Sequence, residues 1–420
     1  MKILVVGNGG REQAIAWALL RSPQVKQIIC IPGNGGTAQL ERCHNMPMRV
    51  DDFEGITRFA LVQGVSFVVV GPELPLAKGI SDYLRQQNIK VFGPSQAGAQ
   101  IEASKTWAKD LMAEAGIPTG VSQSFTDPEA AQTYVNQQGA PIVVKADGLA
   151  AGKGVVVATT VTEAQNAIAD LWEQGFRKLV IEEFLTGQEV SVLAITDGKT
   201  VRPLLPAQDH KQIGEGDTGP NTGGMGVYAP TPLVSPQLLQ TIQDTILKPT
   251  IATLNARGID YCGVLYAGLT IDANQTCRVL EFNCRFGDPE TQAILPLLKT
   301  PLEEILLACI EQRLDQLPPL EWHPGSAVCI VAASQGYPGA YTKGFPIQGI
   351  AEAEATGAIV FHAGTKYKQP QTLTDGGRVL GVTAVGEDFN DAIAKAYTAI
   401  DCIEFDGIYY RRDIGHRLNR

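Results

Sequence analysis

Along residues 1 to 93 short apolar runs alternate with stretches of helical periodicity. KILVVG (2–7), QIICIPG (27–33), SFVVVG (66–71) and IKVFG (89–93) read as strands. Between them, REQAIAWALLR and PLAKGISDYLRQQ repeat apolar positions every three to four residues and read as helices. The pattern predicts a Rossmann-like parallel α/β sheet. Its glycine-bearing loops GNGG (7–10), GNGG (33–36) and GPE (71–73) follow strands. Ligands sit at such carboxyl ends.

The rhythm changes after residue 120. Thr126 or Asp127, then Pro128, opens a helix that Gly139 closes. PIVVKA and GVVVAT flank a glycine loop, so strand, loop and strand predict a hairpin with a flap at its tip. A second helix is expected from Thr162 to near Gly175, then the strands KLVIEEFL and EVSVLAIT. Together these predict a small antiparallel α+β module over 126–196. Residues 197–313 carry a glycine-rich loop, a long helix after Pro236, and the hairpin GVLYAGLTI–DANQ–TCRVLEFN. The proline-rich LDQLPPLEWHPG (314–325) reads as a boundary. Beyond it SAVCIVAA, GRVLGVTAV and a helix near 388–402 predict a small C-terminal α+β domain. The expected domains are 1–103, 104–313 with a flap module at about 121–188, and 326–420.

Length changes little here: 420 residues exceed one small core and fit two to four domains. Charge matters more. A net −10 argues against a general nucleic-acid surface, so a bound anion must meet a local positive pocket. No apolar run is long enough for a membrane span, and MKILVVGNGG reads as strand and turn rather than a signal peptide. Eight cysteines without a C-x-x-C pair read as reduced core thiols of a cytosolic protein.

The candidate chemistry begins at ADGLAAGKG. A Walker A loop needs four residues between its glycines and a hydroxyl after lysine. Here three residues separate Gly148 from Gly152, and Gly154 follows Lys153. Lys145 stands inside an apolar strand, where a lysine is rarely buried unless paired, and a phosphate partner is expected. In EFNCRFGDPE, Glu281, Asn283 and Arg285 are spaced by two and point to one side of a strand. Glu281 and Asn283 offer hard oxygens that suit magnesium, and Arg285 offers a fork for phosphate or carboxylate. Asp288 and Pro289 read as a helix cap and first position. Glu182, Glu183, Phe184 and Leu185 join two strands and can serve adenine through the main chain, with Glu189 near ribose. The loop 219–226 is dense in glycine, which lets backbone N–H groups approach a ligand. Asp209, His210 and Lys211 precede it as substrate contacts. GNGGRE has Glu12 where a dinucleotide fingerprint needs glycine. It reads either as a phosphate or sugar loop with Arg11 or as a tight turn.

A lysine-bearing antiparallel module, a glycine flap, an E-E-F-L hinge and a Glu-x-Asn strand together resemble the ATP-grasp superfamily. MKILVVGNGGREQA, GPELPLAKG, KADGLAAGKGV, VIEEFLTGQEVS, QDHK, DTGPNTGGMG, EFNCRFGDPETQ, FHAGTK and GGRVL occur in this order across nearly the whole chain. In that order they are similar to the phosphoribosylamine–glycine ligase family. The resemblance implies an ATP-grasp core of two α+β modules and a ligase making glycinamide ribonucleotide from ATP, glycine and 5-phosphoribosylamine. It maps magnesium (or manganese) onto Glu281 and Asn283. ATP maps onto Lys105, Lys145, Gly148, Gly152, Lys153, Gly154, Glu182, Glu183, Phe184, Leu185 and Glu189. Substrate contacts fall on Asn8, Gly9, Gly10, Arg11, Glu73, Asp209, His210, Lys211, Asn221, Thr222, Gly223, Gly224, Met225, Arg285, His362 and Lys366. Lys145, Arg285, Glu281 and Asn283 carry the chemistry. A cytoplasmic monomer without nucleic-acid or membrane partner is expected. Two departures stand out: Gln13 where the family has His, and a short segment between Ala164 and Val180. The alternatives are another ATP-grasp ligase or carboxylase of purine synthesis, or a nucleotide-binding regulator without turnover.

Overall fold

A computed structural model describes residues 1–149 and 154–419. The N-terminal part is a parallel sheet in the order Cys43–Asn45, Gln27–Pro32, Lys2–Gly7, Phe67–Val70, Val91–Phe92. Its strands are buried on both faces, which explains why they read as continuous apolar runs rather than alternating ones. The order reverses between Lys2–Gly7 and Phe67–Val70, so the loops after Gly7 and Val70 open a crevice. The helix Gly10–Leu20 forms as expected. The second expected helix is split into Glu73–Ala77 and Ile80–Gln86, because Gly79 takes a left-handed conformation at φ 87°.

The flap module is an antiparallel sheet ordered Ser122–Phe125, Leu179–Glu183, Ile142–Ala146, Val155–Ala158. The helices Pro128–Gln138 and Val161–Glu173 pack together over it. Their N-caps are Asp127, accepting from Glu129 N at 3.1 Å, and Thr160, accepting from Glu163 N at 3.2 Å. Gly152 and Lys153, expected in the flap, lie outside the described residues.

One assignment changes. The strand expected at 189–196 does not join the flap module. Gln188–Asp197 pairs residue for residue with Cys262–Ile271, in a sheet completed by Val201–Pro203 and Cys277–Asn283. From Val190 on it is buried, as Cys262–Ile271 is throughout, so each needs a long buried partner that the short flap strands cannot supply. A second change concerns Gln208–Asp209 and Gly226–Ala229. Both join the C-terminal sheet, beside Ser326–Ser334, Arg378–Gly386 and Ile359–His362. The loop 210–225 therefore hangs between the central cleft and the C-terminal domain. The long helix after Pro236 widens into a π turn at Gln243–Leu247, just before Pro249, which has no amide hydrogen to donate.

All eight cysteines are free, and six of them are buried. Among the described residues no helix is long and apolar enough to cross a membrane.

Candidate active site

A cleft of about 530 Å³ opens where the three parts meet. The flap sheet forms one wall. Val143 and Lys145 on one strand lie beside Glu182 and Val180 on the next, all on one face. Lys145 is 7 % exposed. Its Nζ stands 2.5 Å from Glu182 Oε2 as an ion pair and donates to the Leu280 carbonyl at 3.1 Å. Glu182 Oε1 takes a second lysine, Lys109. The hinge Glu182–Leu185 thus does more than offer main chain: the Glu182 carboxylate fixes two cations. Glu183, also at the cleft, pairs with Arg278 at 3.3 Å and accepts from the Val121 N–H at 3.1 Å. Phe184 and Leu185 line the cleft beside them.

Lys105 begins the helix Lys105–Glu114, which Ser104 caps, and its Nζ donates to the Gly148 carbonyl at 3.1 Å. Burial pushes its pKa below the ordinary lysine value, although Glu281 opposes this. The opposite wall is the strand Cys277–Asn283, where a bulge opposite Gly268 and Leu269 leaves Glu281 and Asn283 facing the cleft. Burial alone would raise the Glu281 pKa. Lys211, Lys145, Lys105 and Arg285 together outweigh it and hold the carboxyl below its usual range. Arg285 reaches Glu102 at 3.0 Å, Glu73 at 3.4 Å and Asn283 Oδ1 at 3.2 Å. Burial disfavours its charge, but Glu102 and Glu73 keep it firmly protonated. Glu189 holds Lys211 at 2.7 Å.

At the far end the N-terminal and C-terminal parts close in. Arg11 donates to the Phe286 carbonyl at 3.0 Å and pairs with Glu12 at 2.6 Å. Glu12 fills the crevice between the glycine loops: it accepts from Gly9 N at 2.6 Å, and a Cβ at Gly7 or Gly71 would collide with it. A dinucleotide pyrophosphate has no room there and would meet a carboxylate. Arg378 of the C-terminal domain donates to the carbonyls of Gly223 and Asp288, at 2.5 and 2.8 Å. Tyr337 accepts from Gly223 N at 2.9 Å. Asn221, Thr222 and Gly223 thereby line the cleft, held from the C-terminal side.

Several expected residues stand elsewhere. His210 is fully buried, its Nδ1 3.3 Å from the Gly226 carbonyl and its Nε2 accepting from Gly415 N at 3.3 Å. Burial pushes its pKa down to about 3. Met225 is buried under the C-terminal sheet. His362 packs against Thr365 and Gln13, whose side-chain oxygen accepts from His362 N at 2.7 Å. Lys366 is exposed on the outer hairpin, Asn8 is exposed, Gly9 packs against Glu12, and Gly10 packs against Gln292. Asp288 and Pro289 do not act as cap and first helical residue. The helix Glu290–Leu297 begins after Pro289, and the Asp288 carboxylate meets Arg378 at 3.3 Å.

Conversely, Glu102, Lys109, Tyr266, Glu290, Tyr337 and Arg378 enter the cleft without having been singled out. Lys109 carried a signal, since it lies one turn from Lys105. Arg378 lay within the quoted GGRVL motif but was given no role, and Tyr337 carried no signal, because long-range folding alone brings it in.

Glu281 and Asn283 suit a hard divalent cation. One is ionised and the other neutral, both on one strand face, with room for phosphate oxygens to complete the set. Among the described residues no three His, Cys, Asp or Glu side chains cluster as a protein-only metal cage. A second cavity of about 620 Å³, between Lys199–Pro203, the 243–255 helix and Trp322, includes none of these groups.

Two antiparallel α+β modules facing each other across paired lysines and a Glu-x-Asn strand define an ATP-grasp architecture. The comparisons with known proteins refine this. The N-domain, ATP-grasp (A) domain and C-domain models of phosphoribosylglycinamide synthetase match residues 1–102, 103–291 and 327–417. The chain is 65% identical over 424 residues to a phosphoribosylamine–glycine ligase from Nostoc sp., covering all of both chains. It is 60% identical over 417 residues to one from Synechocystis sp., covering 99% of this chain and 100% of that one. A crystal structure of the phosphoribosylamine–glycine ligase of Thermotoga maritima superposes with a TM-score of 0.84 at 32% identity, over 98% of this chain and 100% of that one. The chain belongs to the phosphoribosylglycinamide synthetase family.

Proposed function

We propose that this protein joins glycine to 5-phosphoribosylamine with cleavage of ATP, giving glycinamide ribonucleotide, ADP and phosphate. The observation that carries this reading is the convergence of Lys145, Glu281, Asn283 and Arg285 on one cleft between two modules. Adenine fits between the Glu182–Leu185 hinge and the apolar side chains Val143, Met112 and Leu280, with ribose near Glu189. The triphosphate then runs toward Lys105 and Lys145. Four cations, Lys211, Lys145, Lys105 and Arg285, stand around Glu281, so a phosphate meets positive charge there although the chain carries a net −10.

The carboxylate of glycine is a poor electrophile in neutral water. Transfer of the γ-phosphoryl group makes it an acyl phosphate, the amine of phosphoribosylamine forms the new C–N bond, and phosphate leaves. No nucleophilic side chain is needed. The protein aligns the reactants, a contribution of roughly 7–11 kcal/mol. Lys145 and Arg285 spread the negative charge of the transferring group. Glu281 and Asn283 would hold magnesium or manganese, which supplies further charge neutralisation at the phosphates. Arg378, Tyr337 and the 221–223 loop, with Arg11 opposite, form the end of the cleft that suits the phosphoribosyl substrate. The enzyme is read as a monomer of the cytoplasm.

The test is ADP release with ATP and magnesium, adding glycine and phosphoribosylamine singly and together. Release that requires both, with one amide per ADP, supports the assignment. ADP formed with another acid in place of glycine overturns the substrate assignment.

A further inference from the structure

The second cavity, of about 620 Å³, lies on a seam of three segments: the edge strand Val201–Pro203 with the two residues before it, the helical run 243–255, and the linker that leads to the C-terminal domain. None of its lining residues belongs to the central cleft, whose walls include Lys145, Asp209, Glu281 and Glu290. Hydrogen bonds tie the three walls together. Gln243 Nε2 donates to the Val201 carbonyl at 3.1 Å, and Asn255 Nδ2 to the Gly198 carbonyl at 2.6 Å. Arg202 donates to the Leu317 carbonyl at 2.9 Å, which pins the linker to the strand. The backbone of Trp322 is itself held, by a bridge to Leu298. The cavity is thus preformed, and its size suits a small molecule, since ligand pockets run to roughly 300–1,000 Å³.

Its lining combines two chemistries. Trp322, Leu320, Pro319 and Ile251 supply an apolar surface with one large ring. Lys199, Arg202 and Lys248 supply three cations, and among the described residues no carboxylate lines the cavity. The chain as a whole has 44 acidic and 34 basic residues, so this lining runs against its overall charge. Lys248 is shared with Asp244 at 2.7 Å. Among the described residues neither Lys199 nor Arg202 pairs with a carboxylate. Arg202 meets only the main-chain carbonyls of Leu314 and Leu317, and its Nε is buried without a partner. Two positive charges are therefore left uncompensated beside an aromatic face. A phosphate monoester carries about −1.5 to −2 at pH 7 and presents three acceptor oxygens, which matches those two charges. A flat ring on Trp322 satisfies the apolar half, and stacking of this kind tolerates any nucleobase.

We propose that this seam is a binding site for a nucleoside monophosphate, separate from the catalytic cleft. The base lies on Trp322, and the phosphate meets Lys199 and Arg202. A triphosphate carries more charge than these two groups balance. Inorganic phosphate alone leaves the apolar wall unused. The site stands on its own lining and does not depend on the ligase reading.

The experiment is equilibrium dialysis of labelled AMP against the full chain and its variants Lys199→Glu and Lys145→Ala. Lys199→Glu should weaken AMP binding about tenfold or more, because it turns a charge-assisted contact into a repulsion. Its ADP release with saturating substrates should stay at the wild-type rate, which separates lost binding from lost folding. Lys145→Ala alters the central cleft and should leave AMP binding at the seam unchanged. Adenosine and inorganic phosphate should each bind far more weakly than AMP. AMP should also change the tryptophan emission of the wild type, and Trp322→Phe, which keeps a ring to stack on, should abolish that change. No AMP bound up to millimolar concentration overturns the proposal. Binding that survives Lys199→Glu but is lost in Lys145→Ala overturns it too, by assigning the nucleotide to the central cleft. Phosphate that binds as tightly as AMP, or an emission change that persists in Trp322→Phe, removes the base from Trp322 and likewise overturns it.

Discussion

Lys145 and Glu182 sit diagonally on neighbouring strands of the flap sheet, 2.5 Å apart, and Glu182 also holds Lys109. One buried carboxylate therefore positions two lysines at the phosphate end of the cleft. The two sides of this pair have different consequences when removed. Lys145→Ala leaves Glu182 its other lysine, so the fold is expected to persist. The loss is a charge-assisted hydrogen bond of about 1.5–3 kcal/mol, roughly tenfold to a hundredfold in kcat/KM for ATP. Glu182→Gln strands two lysines beside a neutral amide, and breaking such a pair costs roughly 3–5 kcal/mol. Its thermal midpoint should fall well below that of Lys145→Ala. Equal midpoints would show that Glu182 does not hold the lysines together.

Glu281 is kept ionised by the four cations around it. Glu281→Gln removes the charge while preserving shape. The magnesium concentration for half-maximal activity should rise, and manganese, which binds such ligands more tightly, should rescue part of the loss. A magnesium titration that does not move places the metal elsewhere.

Arg285 touches Glu102, Glu73 and Asn283 with one planar fork. Lysine keeps the charge but cannot span these partners. Arg285→Lys should lower kcat by about tenfold or more, with ATP affinity measured by equilibrium binding changing far less. Full activity in this variant would reduce Arg285 to a point charge.

His210 is buried with its pKa near 3, far below the ordinary 6.5. The unfolded chain thus binds a proton that the folded chain refuses between those values. The contribution to stability is present above pH 6.5 and is lost as the pH falls toward 3. Denaturant midpoints of the wild type should drop between pH 7 and pH 5. In His210→Gln the slope should be shallower. An identical slope would assign the acid sensitivity to other groups.

Much of the site was legible because strand periodicity needs no tertiary information. Glu281 and Asn283 reach the cleft because residues two apart share a strand face. Lys145 stood out because an apolar strand does not carry a lysine without a partner. The partner itself was not legible, since Glu182 meets Lys145 only when two strands pair in one register. The same holds for Asp288, where a local cap motif lost to a long-range ion pair with Arg378. His210 looked like a ligand contact beside Asp209 and Lys211, but alternation along the chain turned its ring into the C-terminal core. The sheet assignment of 188–197 also needed the whole fold: an apolar run announces burial, not which strand will bury it.

By itself, then, the sequence determined the parallel N-terminal sheet, the flap hairpin and the Glu-x-Asn strand. These depend on patterns within a few residues, where propensity and alternation act directly. Only the tertiary structure decided that Glu12 occupies the glycine crevice, that Arg378 and Tyr337 close the cleft, and that Asp209 and Glu290 share one space. The longest of those contacts, Arg378 to Gly223, joins residues 155 positions apart. They arise from burying long strands and pairing buried charges, which no local pattern encodes.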